Sequence, residues 1–95
     1  MATIAIVDNG DHLIPLELLP GLRGFELGAS MAGTGAGATV QLWGKIGGVK
    51  TNIDAAQTIT PSLCKAWPNK YSANKYKGVT VTGLTPGDVI TLEFN

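Results

Sequence analysis

The chain has 95 residues, enough for one domain covering residues 1–95, and a domain of this size is marginally stable unless it forms an oligomer. Its seven basic and seven acidic residues cancel, which excludes a general electrostatic attraction to nucleic acid or anionic lipid. Its single cysteine, Cys64, and single histidine, His12, cannot provide an internal disulfide or the four ligands of a structural zinc site.

The N-terminal segment contains "TIAIV", then "DNGD", then "HLIPLEL". An Asn-Gly pair between two apolar runs predicts a β-hairpin over residues 3–18, because both central residues of such a turn take positive φ. Pro15 has no amide donor, which places the second strand at a sheet edge or makes it a short arm. The leucines around Pro15 either plug the core or form a subunit interface, for which the candidates are Leu16, Leu18 and Leu19.

Alternating polar and apolar residues predict most of the remaining strands. "RGFELGAS" and "ATVQLWGK" alternate, with Val40 and Leu42 on one face and Trp43 on the other. "IGGVKT" predicts a Gly-Gly turn, and shorter strands are expected around "AQTIT" and "SLCKAW". The last two strands, "GVTVTG" and "VITLEFN", flank a type II turn with Pro86 and Gly87 at its second and third positions.

No window carries an apolar stripe at helical spacing, and glycines and prolines interrupt the chain at short intervals. The sequence therefore predicts an all-β fold, a single antiparallel β-sandwich or jelly-roll-like barrel. Leu84 is expected to plug between the sheets, and the last two strands supply further core residues: Val79, Val81, Ile90, Leu92 and Phe94.

Residues 31–40, "MAGTGAGATV", place Gly33, Gly35 and Ala38 at the spacing of a dinucleotide-binding turn, and Asp54 follows at the distance of a ribose-binding acid. Such a turn works only at the N-terminus of a helix, where free amides and the helix dipole bind pyrophosphate. The segment that follows reads as a strand. We therefore interpret residues 32–38 as a flexible glycine-rich loop between two strands, and expect no nucleotide cofactor.

The sequence offers no set of residues typical of catalysis or metal binding. "DNGDH" gathers Asp8, Asp11 and His12, but its composition is explained by a turn, and it lacks the spaced carboxylates of a calcium loop. Cys64 is expected to be a small buried or half-buried hydrophobic residue. Because no nucleophile stands with a base and an orienting group, we expect a binding protein without metal or cofactor, not an enzyme.

Residues 65–78, "KAWPNKYSANKYKG", hold four of the seven basic residues together with three aromatic residues. Four interpretations stay open: a solvated loop whose aromatics fold back over the sandwich, a protein interface, a carbohydrate site and a single-stranded nucleic-acid site. Lysine in place of arginine disfavours nucleic acid. The partner-binding candidates are Trp67, Lys70, Tyr71, Lys75 and Tyr76.

Two resemblances follow from these segments. "GLTPGDVITLEF" resembles the Leu-x-Pro-Gly corner of fibronectin-type and immunoglobulin-like modules, with Ile90 or Leu92 in place of the usual tyrosine. The short chain, its glycine and threonine content and its predicted terminal hairpin together resemble small virion proteins of tailed bacteriophages, the capsid decoration or cement class. That resemblance implies a homotrimer that binds the major capsid protein or another virion protein and stabilises the assembled shell.

A carbohydrate-binding or host-recognition module of a phage fibre or tail is the alternative, with Trp67, Tyr71 and Tyr76 as an exposed platform. The start "MATIAIVDNGDH" has no basic stretch followed by an apolar run, and no segment is apolar for long enough to span a membrane. We therefore expect synthesis in a host cytoplasm and a final location in the virion.

Overall fold

The computed structural model describes residues 2–14, 26–67 and 76–94. These residues form eight strands and no helix. In chain order the strands are β1 (Ala2–Ile6), β2 (Gly10–Leu13), β3 (Leu27–Ala32), β4 (Ala38–Ile46), β5 (Val49–Ile59), β6 (Lys65–Ala66), β7 (Tyr76–Thr82) and β8 (Val89–Phe94). The predicted all-β class is confirmed.

The strands form two four-stranded antiparallel sheets that pack face to face. Sheet I has the order β1-β8-β3-β6, and sheet II has the order β2-β7-β4-β5. The first strand pairs with the last, the second with the seventh, the third with the sixth and the fourth with the fifth. A ribbon of eight strands folded in this way is a jelly roll, so the sandwich is of the jelly-roll type.

The core lies between the two sheets because side chains alternate along each strand. In β8, Ile90, Leu92 and Phe94 face inward and are fully buried, whereas Thr91 and Glu93 face outward. The other predicted core positions, Val79, Val81 and Leu84, are also buried. Val40 and Leu42, which are predicted to share one face of their strand, are buried as well. Leu84 lies between β7 and β8 within the same core cluster, as predicted for a plug.

The predicted N-terminal hairpin is wrong. β1 pairs with β8 in sheet I, and β2 pairs with β7 in sheet II, so the segment around Asn9 crosses from one sheet to the other. An Asn-Gly pair marks a tight turn, but the turn alone does not determine which strands pair after it.

Two other predicted turns are confirmed. Gly47 and Gly48 both have positive φ, and Ile46 pairs with Val49 across them, as in a two-residue hairpin. In the turn Thr85–Asp88, the amide of Asp88 donates to the carbonyl of Thr85 at 3.0 Å, and Gly87 has a φ of 94°. That combination is the type II turn expected from Pro86-Gly87.

Candidate functional site

Trp67 lies in the core and does not face a partner. Its side chain is 4% exposed and belongs to the hydrophobic cluster between the sheets. Its backbone amide donates to the carbonyl of Leu27 at 3.0 Å, so pairing with β3 continues one residue beyond β6. Because Ala66 points outward, the alternation of the strand turns Trp67 inward. The prediction that Trp67 contacts a partner is therefore wrong, and its ring folds back into the sandwich.

Of the remaining partner-binding candidates, one lies within the described residues. Lys70, Tyr71 and Lys75 lie outside the described residues, and Tyr76 is described as the first residue of β7. Lys65 and Lys77, at the two ends of the basic segment, are half-buried. The segment from residue 68 to 75 thus joins a core tryptophan on sheet I to the start of a central strand of sheet II.

The proposed oligomer interface also lies outside the described residues. Leu16, Leu18 and Leu19 come after β2 in the sequence, and Pro15 is not described either. The last residue of β2, Leu13, is 73% exposed.

The outer face of sheet II carries a polar cluster that joins all four of its strands. Lys50 on β5 places its Nζ atom 2.8 and 2.9 Å from the two carboxylate oxygens of Asp11 on β2. The hydroxyl of Thr80 on β7 also donates to Asp11. The Nζ atom of Lys50 lies 5.0 Å from the ring centroid of Trp43 on β4, within the range of a cation–π contact.

The cluster affects the ionisation of Asp11. Hydrogen bonds from Lys50 and then from Thr80 hold the pKa of the Asp11 carboxyl below its ordinary value. Both members of the ion pair are exposed, so the pair contributes little to the free energy of unfolding. Trp43 beneath it is 4% exposed, and its indole N–H has no partner among the described residues. Both tryptophans of the chain are thus buried, and neither forms an exposed stacking platform.

The outer face of sheet I holds a shallow groove beside β6. Its volume is about 280 Å³, and it is lined by Gly28, Ala29, Ser30, Cys64, Lys65, Ala66 and Glu93. Cys64 is exposed, so the prediction that it is buried or half-buried is wrong. The reason is local. Thr60 and Leu63 exchange backbone hydrogen bonds across a surface turn, and Cys64 lies between that turn and the first residue of β6.

The glycine-rich segment does connect two strands, β3 and β4, as predicted. Its amides bind an anion, but that anion belongs to the chain itself. The amides of Thr34 and Gly35 donate to the two carboxylate oxygens of Asp88 at 3.1 and 2.9 Å, and Asp88 is 3% exposed. A Cβ atom at Gly33 or Gly35 would overlap this carboxylate. The spacing that resembles a dinucleotide turn therefore reflects the close approach of Asp88.

Sequence patterns do not predict the contact between Asp88 and the glycine-rich loop. This contact holds in place a loop that is interpreted from its sequence as flexible. Two features of the sequence are consistent with this contact. Gly33 and Gly35 indicate a close approach to the backbone, and Asp88 is the last residue of the predicted type II turn. Nothing in the sequence shows that these two segments, 53 residues apart, lie together.

The "DNGDH" segment is occupied by contacts within the fold. His12 is half-buried, and its Nε2 atom lies 2.7 Å from the backbone carbonyl of Asp8. Asn9 bonds to the backbone of Leu84 through both atoms of its carboxamide. Within residues 2–14, 26–67 and 76–94, no group of three or more His, Cys, Asp or Glu side chains is placed to hold a metal ion.

The described part of the chain contains no helix that is long and apolar enough to cross a membrane. Comparison of the chain with family models, with curated proteins and with solved structures finds no match.

Proposed function

We propose that the protein is a capsid decoration or cement protein of a tailed bacteriophage, which binds the major capsid protein and stabilises the assembled shell. The observation that carries the proposal is the eight-stranded jelly roll, an architecture that recurs in viral capsid domains. Because one fold can serve several functions, the proposal also depends on what the polar side chains of this chain do.

The polar groups that the sequence offers for chemistry are used to hold the sandwich together. Asp88 binds the glycine-rich loop, Asn9 binds Leu84, and Asp11 binds Lys50 and Thr80 across sheet II. Each of these side chains links segments that are distant in sequence. This use favours a rigid binding module over a catalytic one.

Stabilisation of the shell would follow from mass action. A protein that binds the assembled lattice and not the free subunits shifts the equilibrium toward the lattice. In a homotrimer, the second and third contacts form at high effective concentration, which raises the avidity. In this proposal Leu16, Leu18 and Leu19 lie between protomers. Trp67 is not part of the shell contact, since it belongs to the core.

The shell contact is assigned to Lys70, Tyr71 and Lys75 of the basic segment. Co-sedimentation with assembled shells that lack the protein tests this assignment. Lys70→Glu and, separately, Tyr71→Ala are each expected to weaken shell binding by about tenfold or more, as for a charged and an aromatic anchor. The shells with bound wild-type protein should also withstand higher temperature than the bare shells.

Lys45→Glu provides the matched control, because it makes the same charge reversal at an exposed lysine on β4. It should bind shells as the wild type does. Circular dichroism of each variant verifies that the sandwich is intact. Failure of the wild type to bind shells contradicts the proposed function. Wild-type binding by both segment variants removes the basic segment from the contact.

A further inference from the structure

Asn9 holds together the point where the chain crosses between the two sheets. Its Nδ2 atom donates to the carbonyl of Leu84 at 3.0 Å, and the amide of Leu84 donates to its Oδ1 atom at 2.7 Å. Leu84 is buried between the sheets. The side chain of Asn9 therefore ties the β1–β2 crossover to the corner between β7 and β8.

The residue after Asn9 is Gly10, and this pair is chemically reactive. The backbone nitrogen of Gly10 can attack the Cγ atom of Asn9, forming a C–N bond in a five-membered succinimide. The bond to the side-chain nitrogen breaks, and ammonia leaves with the proton from Gly10. Water then opens the ring and leaves aspartate or isoaspartate at position 9. Glycine permits the attack because no side chain shields its nitrogen.

In the folded chain both reacting groups are engaged. The carboxamide of Asn9 is bound to Leu84. Gly10 pairs with Val81, and the bond from the amide of Ile14 to the carbonyl of Lys77 fixes the alternation of this antiparallel ladder. Counting in alternate pairs from Ile14, the amide of Gly10 faces the carbonyl of Val81. The nitrogen reaches Cγ only when β2 leaves β7 and Asn9 leaves Leu84.

We infer that Asn9 is a deamidation site that the fold protects. Its deamidation would irreversibly weaken the contact between the β1–β2 crossover and the corner between β7 and β8. An aspartate at position 9 can still accept from the Leu84 amide, but it cannot donate to the Leu84 carbonyl and instead repels it. An isoaspartate also lengthens the main chain, which shifts Gly10 out of register with Val81. This inference is independent of the proposed function.

The test compares the folded chain with the chain unfolded in urea, in the same mildly alkaline buffer. Peptide mass spectrometry follows the conversion of Asn9 over time. We expect conversion in the folded chain to be slower by about tenfold or more, because it requires a local opening. Asn52 is the internal control: it is exposed, but the β-branched side chain of Ile53 shields the next nitrogen, so it should convert slowly in both states.

Two further measurements separate protection from its consequence. The conversion rate of Asn9 in the folded chain should rise at urea concentrations below the unfolding midpoint, as the corner opens more often. The variant Asn9→Asp should unfold at a lower temperature than the parent, whereas Asp8→Asn, a change at the exposed neighbour, should not. Equal conversion rates in folded and unfolded chains, or an unchanged unfolding temperature for Asn9→Asp, would overturn the inference.

Discussion

Asp88 illustrates how one side chain fixes two segments of the backbone. Its own amide closes the type II turn, and its carboxylate accepts the amides of Thr34 and Gly35. Among the described residues it is the buried acidic side chain of the fold. A buried carboxylate is tolerated because these amides replace the water that it loses.

Replacing Asp88 with alanine should lower the free energy of unfolding by about 2–3 kcal/mol, since two amides lose a charged acceptor. Asp88→Asn should also destabilise, because its NH₂ group would face one of the two donors. Urea unfolding monitored by circular dichroism measures both effects. Glu26→Ala, at an exposed acid, is the control and should change stability by less than about 0.5 kcal/mol. An Asp88→Ala protein as stable as the parent would contradict the role assigned here.

Strand β7 packs closely against β2 and β4, its neighbours in sheet II. Gly78 pairs with Leu13 of β2 on one side and with Trp43 of β4 on the other. A Cβ atom at Gly78 would overlap the carbonyl of His12 and lie 2.9 Å from the Trp43 ring. The absence of a side chain at Gly78 therefore lets β2 and the Trp43 ring approach β7.

Gly78→Ala should destabilise the protein by about 1–3 kcal/mol, the usual range for forcing extra volume into packed structure. Hydrogen exchange should show the largest loss of amide protection in β2, because the new side chain displaces β2 from β7. Gly28→Ala on β3 is the matched control, because its nearest neighbour would be 3.8 Å away. That variant should be neutral or more stable by up to about 1 kcal/mol. Equal behaviour of the two variants would refute the steric argument.

The jelly roll pairs strands from opposite ends of the chain. β1 lies against β8, and within residues 2–14, 26–67 and 76–94 only the β4–β5 pair is closed by a short turn. Stability therefore depends on contacts between distant segments, and a domain of 95 residues buries a modest core. Association would supplement that core, which is the physical basis for expecting an oligomer.

Light scattering across a dilution series measures the oligomeric state directly. We expect a molar mass of three chains that persists on dilution. Leu18→Glu should shift it to one chain, because a charge would be placed in the proposed interface. Leu13→Glu makes the same change at the exposed end of β2 and should leave the trimer intact. A wild-type monomer would exclude the trimer and assign the leucines to another role.

Much of the fold could be predicted from local patterns. Alternation identifies the inward residues of β8, such as Leu92, and the Gly-Gly and Pro-Gly pairs mark two turns that form as expected. The predicted exposure of Trp67 and the predicted burial of Cys64 are both wrong. An aromatic residue between lysines reads as a surface anchor, and an isolated cysteine reads as a buried one, but their positions relative to β6 decide exposure.

The all-β class, the two turns and the alternating faces follow from local sequence patterns, because they depend on side chains within a few residues of one another. Local patterns do not predict that β1 and β2 enter different sheets, that Asp88 binds the glycine-rich loop, or that Asn9 binds Leu84; these depend on the folded chain as a whole. The physical reason is the same in each case. These contacts join segments that are far apart in sequence, and the burial of one face of each sheet in a shared core decides which segments meet.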